Sequence, residues 1–397
     1  MEYNTGDFRK EINENGILFD IGSLYQYLER LSDIRKPRGL RYRLATILVL
    51  IILAKLGGED HPTGIAEWAK HREKQLVQVL KLPYPKVPHH STYRRILGEV
   101  IDSEEFEQLA GAFLASQSQS GHSVVIAIDG KTLRGTIPAG ETHGVHLLAA
   151  YLPEEGLVLM QVEVDSKENE IRAAPRLLAC LDLRGKVVMG DALHTQREVS
   201  AQILAAGGDY LWIVKENQPR LREDLEKLFA PEITRPGLGK VGNDLQTASS
   251  TNNRHGRMEK RRITTSSLLN DYCDWPGLAQ VFKLERHRER LVTGEVSEEI
   301  IYGITSLAKD KSSPRQLLTL VRSYWGIENG LHYRRDVTFK EDRTHMKVSN
   351  AAHALAIINN LVIGLLMKSG ERNLASARRK YCAKPQEALA LILGTNP

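Results

Sequence analysis

The chain has 397 residues, 42% apolar and 26% charged, which is enough apolar surface for two or three cores and too much for a disordered polymer. Its three cysteines, Cys180, Cys273 and Cys382, are far apart and match no metal spacing, which excludes a disulfide scaffold or thiolate centre and points to a reducing cytoplasm. The net charge of +5 is modest, but the basic residues are bunched: five between Ile34 and Arg43, five between Arg254 and Arg262, and Arg378-Arg379-Lys380. Such clusters suit a polyanion such as DNA, although any one of them alone reads as a solvated face. Met1–Gly6 carries no signal-peptide pattern, and the longest apolar stretch, Leu44–Ala54, is too short for a bilayer, so no membrane partner is expected.

Residues 1–18 are polar, and from Ile21 to Glu73 the pattern is helical. Ser23 reads as the cap of a helix with Leu24, Tyr27, Leu28 and Leu31 on one face. A basic loop, Asp33–Gly39, precedes Tyr42–Leu56, which is apolar nearly all round and so is expected at the centre of a helical domain. Further helices are predicted over Thr63–Glu73 and Lys74–Leu80, and Pro83–Pro88 breaks the pattern. His89-His90 reads as surface, Ser91 as the N-cap of a helix carrying Arg94 and Arg95, and Ser103–Ser116 as the next helix. A short helix of that kind resembles a helix-turn-helix module. The polar run Ser116–Gly121 marks a boundary, giving a helical, DNA-binding domain at 1–118.

The next part, 119–219, reads as strands Val124–Asp129, His146–Leu152 and Leu157–Val164, helix Ile171–Leu181, strand Val187–Asp191, helix Arg197–Ala206 and strand Tyr210–Val214. Three strands on short loops followed by alternating α and β is the ribonuclease-H-like order. From 220 to 310 short alternating segments predict an all-β insertion. From 311 to 397 the pattern is helical again: Ser313-Pro314 starts a long helix, and Ser349–Met367 packs on the sheet.

The chemistry gathers at strand ends. Ser123–Ile128 is a short β-branched run ending in Asp129-Gly130-Lys131, and Lys186–Met189 leads likewise through Gly190 to Asp191. Open α/β sheets bind ligands at the carboxyl ends of their strands, and Gly130 is expected to turn the backbone there. The turn-former reading of either Asp alone is about as strong. On the long helix Glu328, His332 and Arg335 fall at i, i+4 and i+7 and so share a face. Three carboxylates suit hard divalent cations, Mg²⁺ or Mn²⁺, and a pair of ions would serve an in-line phosphoryl displacement. Asp336, Glu341 and Asp342 compete with Glu328 as the third acid. Lys131, Lys215, Asn217, Gln218, Arg257, Lys260, Arg261, Arg262, His332 and Arg335 are candidate DNA contacts, each weighed against an ordinary surface role. His194 reads as a cap of the helix starting at Thr195, and His143 and His146 as a turn and a strand start. Trp212 and Trp275 are candidates to stack on a flipped base, the mid-strand Trp212 being the weaker.

Several stretches together resemble bacterial insertion-sequence transposases of the DDE class, in the H-repeat-associated group. They are Ala127–Lys131, Asp165–Ile171, Gly190–Gln196, Asp209–Gln218, His255–Glu259 and Trp325–His332 through Glu341-Asp342. The resemblance implies Asp129, Asp191 and Glu328 as the catalytic and metal-binding triad, and a ribonuclease-H-like α/β core with a β insertion before the Glu. It also implies terminal-repeat and target DNA as partners and a dimer in the DNA complex. Around Glu328 the Tyr, Arg and Lys of a signature found in related families are Val321, Tyr324 and Arg335. Two rivals are a nuclease that cuts without joining and an inactive, transposase-derived DNA-binding protein.

Overall fold

A computed structural model describes residues 10–395 other than 14–15, 39, 119–123, 166, 231–243, 255, 325 and 345, and the side chains of all of these except Arg254, Glu328 and Asn329. Half of the expected linker, residues 119–121, and Trp325 therefore lie outside the described residues. A small hairpin, β1 (Lys10–Ile12) and β2 (Leu18–Asp20), leads into α1 (Leu24–Glu29), α2 (Leu44–Leu56), α3 (Pro62–His71), α4 (Glu73–Val79), α5 (His90–Arg95) and α6 (Ser103–Gln117). Ser23 caps α1 as expected, but α5 starts two residues earlier than its sequence suggests, with His89 rather than Ser91 accepting at the cap.

Every residue of α2 is buried, which its unbroken apolar sequence requires. The one charge among them, Lys55, is held by Asp60 at 3.3 Å. Around α2 pack α1 and α3 and, from the far end of the chain, α11 (Ser349–Lys368), α12 (Leu374–Ala383) and α13 (Pro385–Leu393). One apolar cluster runs from Ile17 to Leu393, so helices from both segments, 1–118 and 311–397, contribute to a common core. Among the described residues the helix Ser349–Lys368, rather than Leu44–Ala54, is the one long and apolar enough to cross a membrane, and 89% of its apolar window is buried in this core.

The rest is a mixed sheet, nine-stranded among the described residues, in the order β5-β4-β3-β6-β7-β11-β10-β9-β8. Its first half is β3 (Val125–Thr132), β4 (His146–Leu152), β5 (Leu157–Val164), β6 (Val187–Gly190) and β7 (Asp209–Val214). β3, β6 and β7 are parallel, and β4 and β5 are antiparallel to their neighbours. Alternation decides the faces. Ile126 and Ile128 pack with α7 (Glu170–Ala179), α8 (Arg197–Ala205) and α9 (Pro219–Leu228); Val125 and Ala127 face α10 (Pro314–Tyr324) and α11.

Three expectations change. The stretch after 219 opens with the helix α9, whose Leu221 and Leu225 are buried at helical spacing, so the segment is not all-β. The strands that follow, β8 (Gln246–Arg254), β9 (Arg257–Ser266), β10 (Gln280–Arg290) and β11 (Val296–Thr305), continue the central sheet through β11 on β7. Finally, α10 stops at Tyr324, and the chain continues through two π turns, Ile327–His332 and Arg334–Thr338. A π turn is wider than an α turn, so α-helical spacing does not govern this segment.

Where α6, β5 and α11 meet, His353 lies 3.6 Å from both Glu107 and Glu163. Burial lowers the affinity of its imidazole for a proton, but the two carboxylates outweigh burial and push its pKa up to about 9. A folded pKa above the unfolded 6.5 means stabilisation that is complete below pH 6.5 and lost as pH rises through 9. His353→Gln is expected to cost about 2–3 kcal/mol at pH 6 and little at pH 9.5, measured by urea unfolding. A cost independent of pH would remove the imidazolium from this account.

Candidate active site

Asp129 is mid-strand in the sense that matters: β3 runs on past it, because pairing with β4 continues to Thr132 opposite His146. On the other side β6 stops pairing at Ala127, so the edge beyond it is open. Gly130 therefore does not turn the chain as expected. Its missing side chain makes room, since a Cβ there would overlap the carboxylate of Glu170 and lie 2.6 Å from His146 Nε2.

Asp191 follows the last residue of β6 and caps the short turn Ala192–His194, its Oδ1 accepting from Leu193 N at 2.9 Å. Asp191 is exposed, whereas the Asp129 side chain is only 23% exposed. Burial, then the charges of Glu170 and Asp191, push the Asp129 carboxyl up to about 7. Asp129 and Asp191 therefore feel one another, with Glu170 as a third charge.

From the opposite face the π turn Ile327–His332 closes on Asp129. Ile327 and Leu331 are fully buried, and His332 Nδ1 comes within 3.7 Å of Asp129 Oδ2. Burial and the charges of Arg335 and Lys131 pull His332 down to about 4, so at neutral pH this contact is made by an uncharged imidazole and is no ion pair. Glu328 has its backbone in this same turn, but its side chain lies outside the described residues. The competing acids are engaged elsewhere. Asp336 pairs with Lys131, Glu341 accepts from Arg335 Nε at 2.8 Å inside the core, and Asp342 accepts from Arg134 N at 3.0 Å.

The expected DNA contacts separate into two groups. Arg335 is completely buried, and Lys131 is 9% exposed with its ammonium on Asp336, so neither is presented to a partner. Asn217 and Gln218 donate to the carbonyls of Ala192 and Thr195, bracing the turn after Asp191. The 257–262 cluster is split by strand alternation. Arg261 points to the face that carries Glu259, Arg286 and Arg288, where Arg286 reaches Glu259 at 3.0 Å and Glu299 at 3.1 Å. Lys260 and Arg262 are exposed on the other face, and Arg257 and Lys215 are exposed too. Both tryptophans are core: Trp212 and Trp275 donate to the same Ser200 Oγ, at 2.9 and 3.2 Å, which leaves neither for a base.

The register sets where this ledge lies. β11 is antiparallel to β7 and pairs Tyr302 with Val214, so residues 296–301 and their partners on β10 and β9 project beyond the carboxyl end of β7. Asp129 and Asp191 lie at that same end of the sheet.

Sequence reasoning missed a second cluster. His146 Nε2 and His194 Nε2 lie 2.9 and 3.1 Å from the two oxygens of Glu170. Burial raises the Glu170 carboxyl, but these hydrogen bonds outweigh it and hold the pKa down to about 2. His194 is no helix cap, since α8 starts at Arg197 behind Gln196. An acid in the first turn of a helix is so ordinary that only the two distant histidines, unconnected by any spacing, mark Glu170 out.

Hard oxygen donors under unrelieved like charge fit a divalent cation, which would lower the Asp129 pKa by neutralising its neighbours. Among the described residues no three His, Cys, Asp or Glu side chains converge as a complete ligand set, and that description leaves out the Glu328 side chain.

The chain has clear relatives. Residues 120–365 match the family model described as the transposase DDE domain, and residues 25–114 match the DDE_Tnp_1-associated model. The putative transposase YncI of Escherichia coli O157:H7 is 30% identical over 352 residues, 87% of each chain. The H repeat-associated putative transposase YhhI of Escherichia coli strain K12 is 28% identical over 353 residues, 87% of this chain and 91% of that one. A solved piggyBac transposase synaptic complex with hairpin DNA aligns at a TM-score of 0.41 and 11% identity, over 92% of this chain and 79% of that one, a likeness too slight to argue from.

In metal-free buffer the Asp129 carboxyl titrates near 7 when folded, against 3.8 as its ordinary value. Its contribution is therefore complete below pH 3.8 and lost as pH rises through 7. Asp129→Asn, which carries no charge, is expected to be near neutral at pH 4 and to stabilise by about 2–4 kcal/mol at pH 8 in EDTA, read by urea unfolding. Equal effects at both pH values would mean that the carboxylate is not under strain.

Proposed function

Because the chain belongs to the transposase DDE-domain family, in its H-repeat-associated group, we propose how its residues divide the work of cutting and rejoining DNA. The protein is a DNA transposase, an enzyme that cleaves element ends and transfers the strands to a target. The order β5-β4-β3-β6-β7, parallel only among the last three, supports a ribonuclease-H-like core, with β8–β11 as its insertion and the N-terminal helices as a DNA-binding part.

Asp129, Asp191 and Glu328 are the catalytic carboxylates. The observation that carries this reading is the placement of Asp129 on β3 and Asp191 just past β6, adjacent parallel strands whose pairing stops at Ala127, beneath the turn that contains Glu328, with the charge of Asp191 helping to raise the Asp129 carboxyl. These residues would hold Mg²⁺ or Mn²⁺, as a pair of ions, which would supply Lewis-acid polarisation of the scissile phosphate and of the attacking oxygen. The protein's own part is positioning. The buried surroundings of Asp129 strengthen its electrostatics, and uncharged His332 packs beside it without adding a competing cation. Lys215, Arg257, Lys260 and Arg262 bind phosphates along the projecting strands, terminal-repeat and target DNA are the partners, and a dimer forms on them. The protein works in the cytoplasm, on the nucleoid when bound.

The test is incubation with the element's own terminal DNA and Mg²⁺, scoring cleaved and joined products separately. The parent should give both, and Asp191→Asn should lose at least about 10³-fold in cleavage while still binding the DNA. Cleavage without joining would favour the nuclease alternative, no cleavage by the parent would favour the inactive binding protein, and full activity in Asp191→Asn would end the carboxylate reading.

Replacing Lys260 and Arg262 by Gln should lower the salt dependence of DNA affinity by a slope of about 2, since each phosphate contact releases about 0.9 counterion. Arg261→Gln should leave the slope unchanged, because that guanidinium is engaged with Glu259. The reverse pattern would place the phosphate track on the other face of the sheet.

A further inference from the structure

We propose that Glu170 is a positioning residue of the transposition site, a bridge between His146 and His194 that sets the spacing of the strand ends carrying Asp129 and Asp191. The proposal rests on the reading of those two aspartates as catalytic.

The bridge is continuous across four elements: β3, β4, α7 and the turn Ala192–His194. Thr132 Oγ1, on the same strand as Asp129, lies 2.8 Å from His146 Nδ1. His146 Nε2 meets Glu170 Oε1 at 2.9 Å, and Glu170 Oε2 meets His194 Nε2 at 3.1 Å. His194 is fully buried, three residues past Asp191 in the turn that Asp191 itself caps. Its Nδ1 is buried without a partner, so the tautomer with its proton on Nε2, donating to Glu170, is the one that leaves no N–H unsatisfied.

Each aspartate has a glycine beside it, and each glycine clears space for this bridge. A Cβ at Gly130 would overlap Glu170 Oε1, and one at Gly190 would lie 2.9 Å from the His194 ring. The anchor is firm as well. Asn169 caps α7 by accepting from Arg172 N, and Ala173, Ala174, Leu177 and Leu178 fix the helix in the core, so Glu170 sits in its first turn. The helix dipole favours a carboxylate there. Outer partners of this kind orient metal-binding groups, and losing one costs about 10–100-fold in metal affinity.

The experiment measures Mn²⁺ binding by calorimetry in the full-length protein, together with cleavage of terminal DNA and the unfolding midpoint. Glu170→Ala should weaken Mn²⁺ binding by about 10–100-fold and cleavage by a similar factor, with DNA affinity in EDTA unchanged. Gly130→Ala should do the same in the parent, because its Cβ displaces the carboxylate. In a Glu170→Ala background the Gly130→Ala change should cost clearly less than it does in the parent, since the carboxylate it overlaps is gone and only the close approach to His146 Nε2 remains. Additive losses, or parental Mn²⁺ binding in Glu170→Ala, would overturn the bridge. If Glu170→Ala does not fold, Glu170→Gln and the Gly130→Ala change are compared by the same Mn²⁺ titration, and parental affinity in both overturns it. Failure of the catalytic reading would show separately, as cleavage retained in Asp191→Asn.

Discussion

Negative charge held close together and partly out of water is the constraint on which the rest of the molecule depends. Two carboxylates about 6 Å apart in a medium of effective dielectric about 20 repel by roughly 3 kcal/mol. Asp129 registers that repulsion together with its burial, as a carboxyl that keeps its proton to about pH 7. A flexible loop would relax by moving the acids apart. Here Asp129 cannot move, because β3 is paired on both sides through Ala127 and with β4 as far as Thr132. The sheet beneath it is covered on both faces by helices. The site stores unfavourable electrostatics, and the large core supplies the rigidity to store it.

The same logic explains the buried ions on the other face. The segment after Tyr324 leaves regular helix for π turns, and so gives up the backbone pattern that would fix its path. Side chains fix it instead. Arg335 is held by Glu341, which also accepts from Asn359 Nδ2 at 2.8 Å. Arg378 of α12 donates to Thr338 O at 2.7 Å, to Lys55 O at 2.9 Å and to Asp60 at 2.7 Å, with its guanidinium 4.5 Å from the Phe339 ring centroid. Removing one member of such a network leaves a buried charge uncompensated, typically at about 3–5 kcal/mol, so the arrangement is specific even where it adds little net stability. It also ties the segment to α2 and α12, so helices from both ends of the chain hold the lid over Asp129.

How much was legible follows from these forces. The alternation of β3 to β7 with α7 and α8, the buried character of α2 and the position of Asp191 just past β6 can be read from local apolar pattern, because local pattern decides them, whereas the run of β3 past Asp129 to Thr132 depends on its pairing with β4. The fates of Lys131 and Arg335 cannot, because a basic residue near an acid motif looks the same whether it meets phosphate or an internal carboxylate. Arg261 and Lys260 were grouped by sequence adjacency, although a strand sends neighbours to opposite faces. Gly130 was read as a turn when it is a clearance, a role visible only once Glu170 is placed against it. Glu170 itself depends on His146 and His194, 24 residues away in either direction, and no single-chain periodicity carries that information.

The polarity of the sheet accounts for the remaining arrangement. Parallel strands bring their carboxyl ends to one edge, which is where the acids gather. A phosphodiester arriving there meets like charge, so cations must stand within about a Debye length, about 8 Å at physiological salt, to hold it. β11, being antiparallel to β7, enters from that edge, and its first residues with their partners on β9 and β10 necessarily overhang it. The overhang needs stiffness without a hydrophobic core. The Glu259–Arg261–Arg286–Arg288–Glu299 lattice provides it on one face, leaving Lys260 and Arg262 exposed on the other. The reversal of strand direction at β7 thus brings the acidic cluster and the exposed cations of the projecting strands to one edge of the sheet.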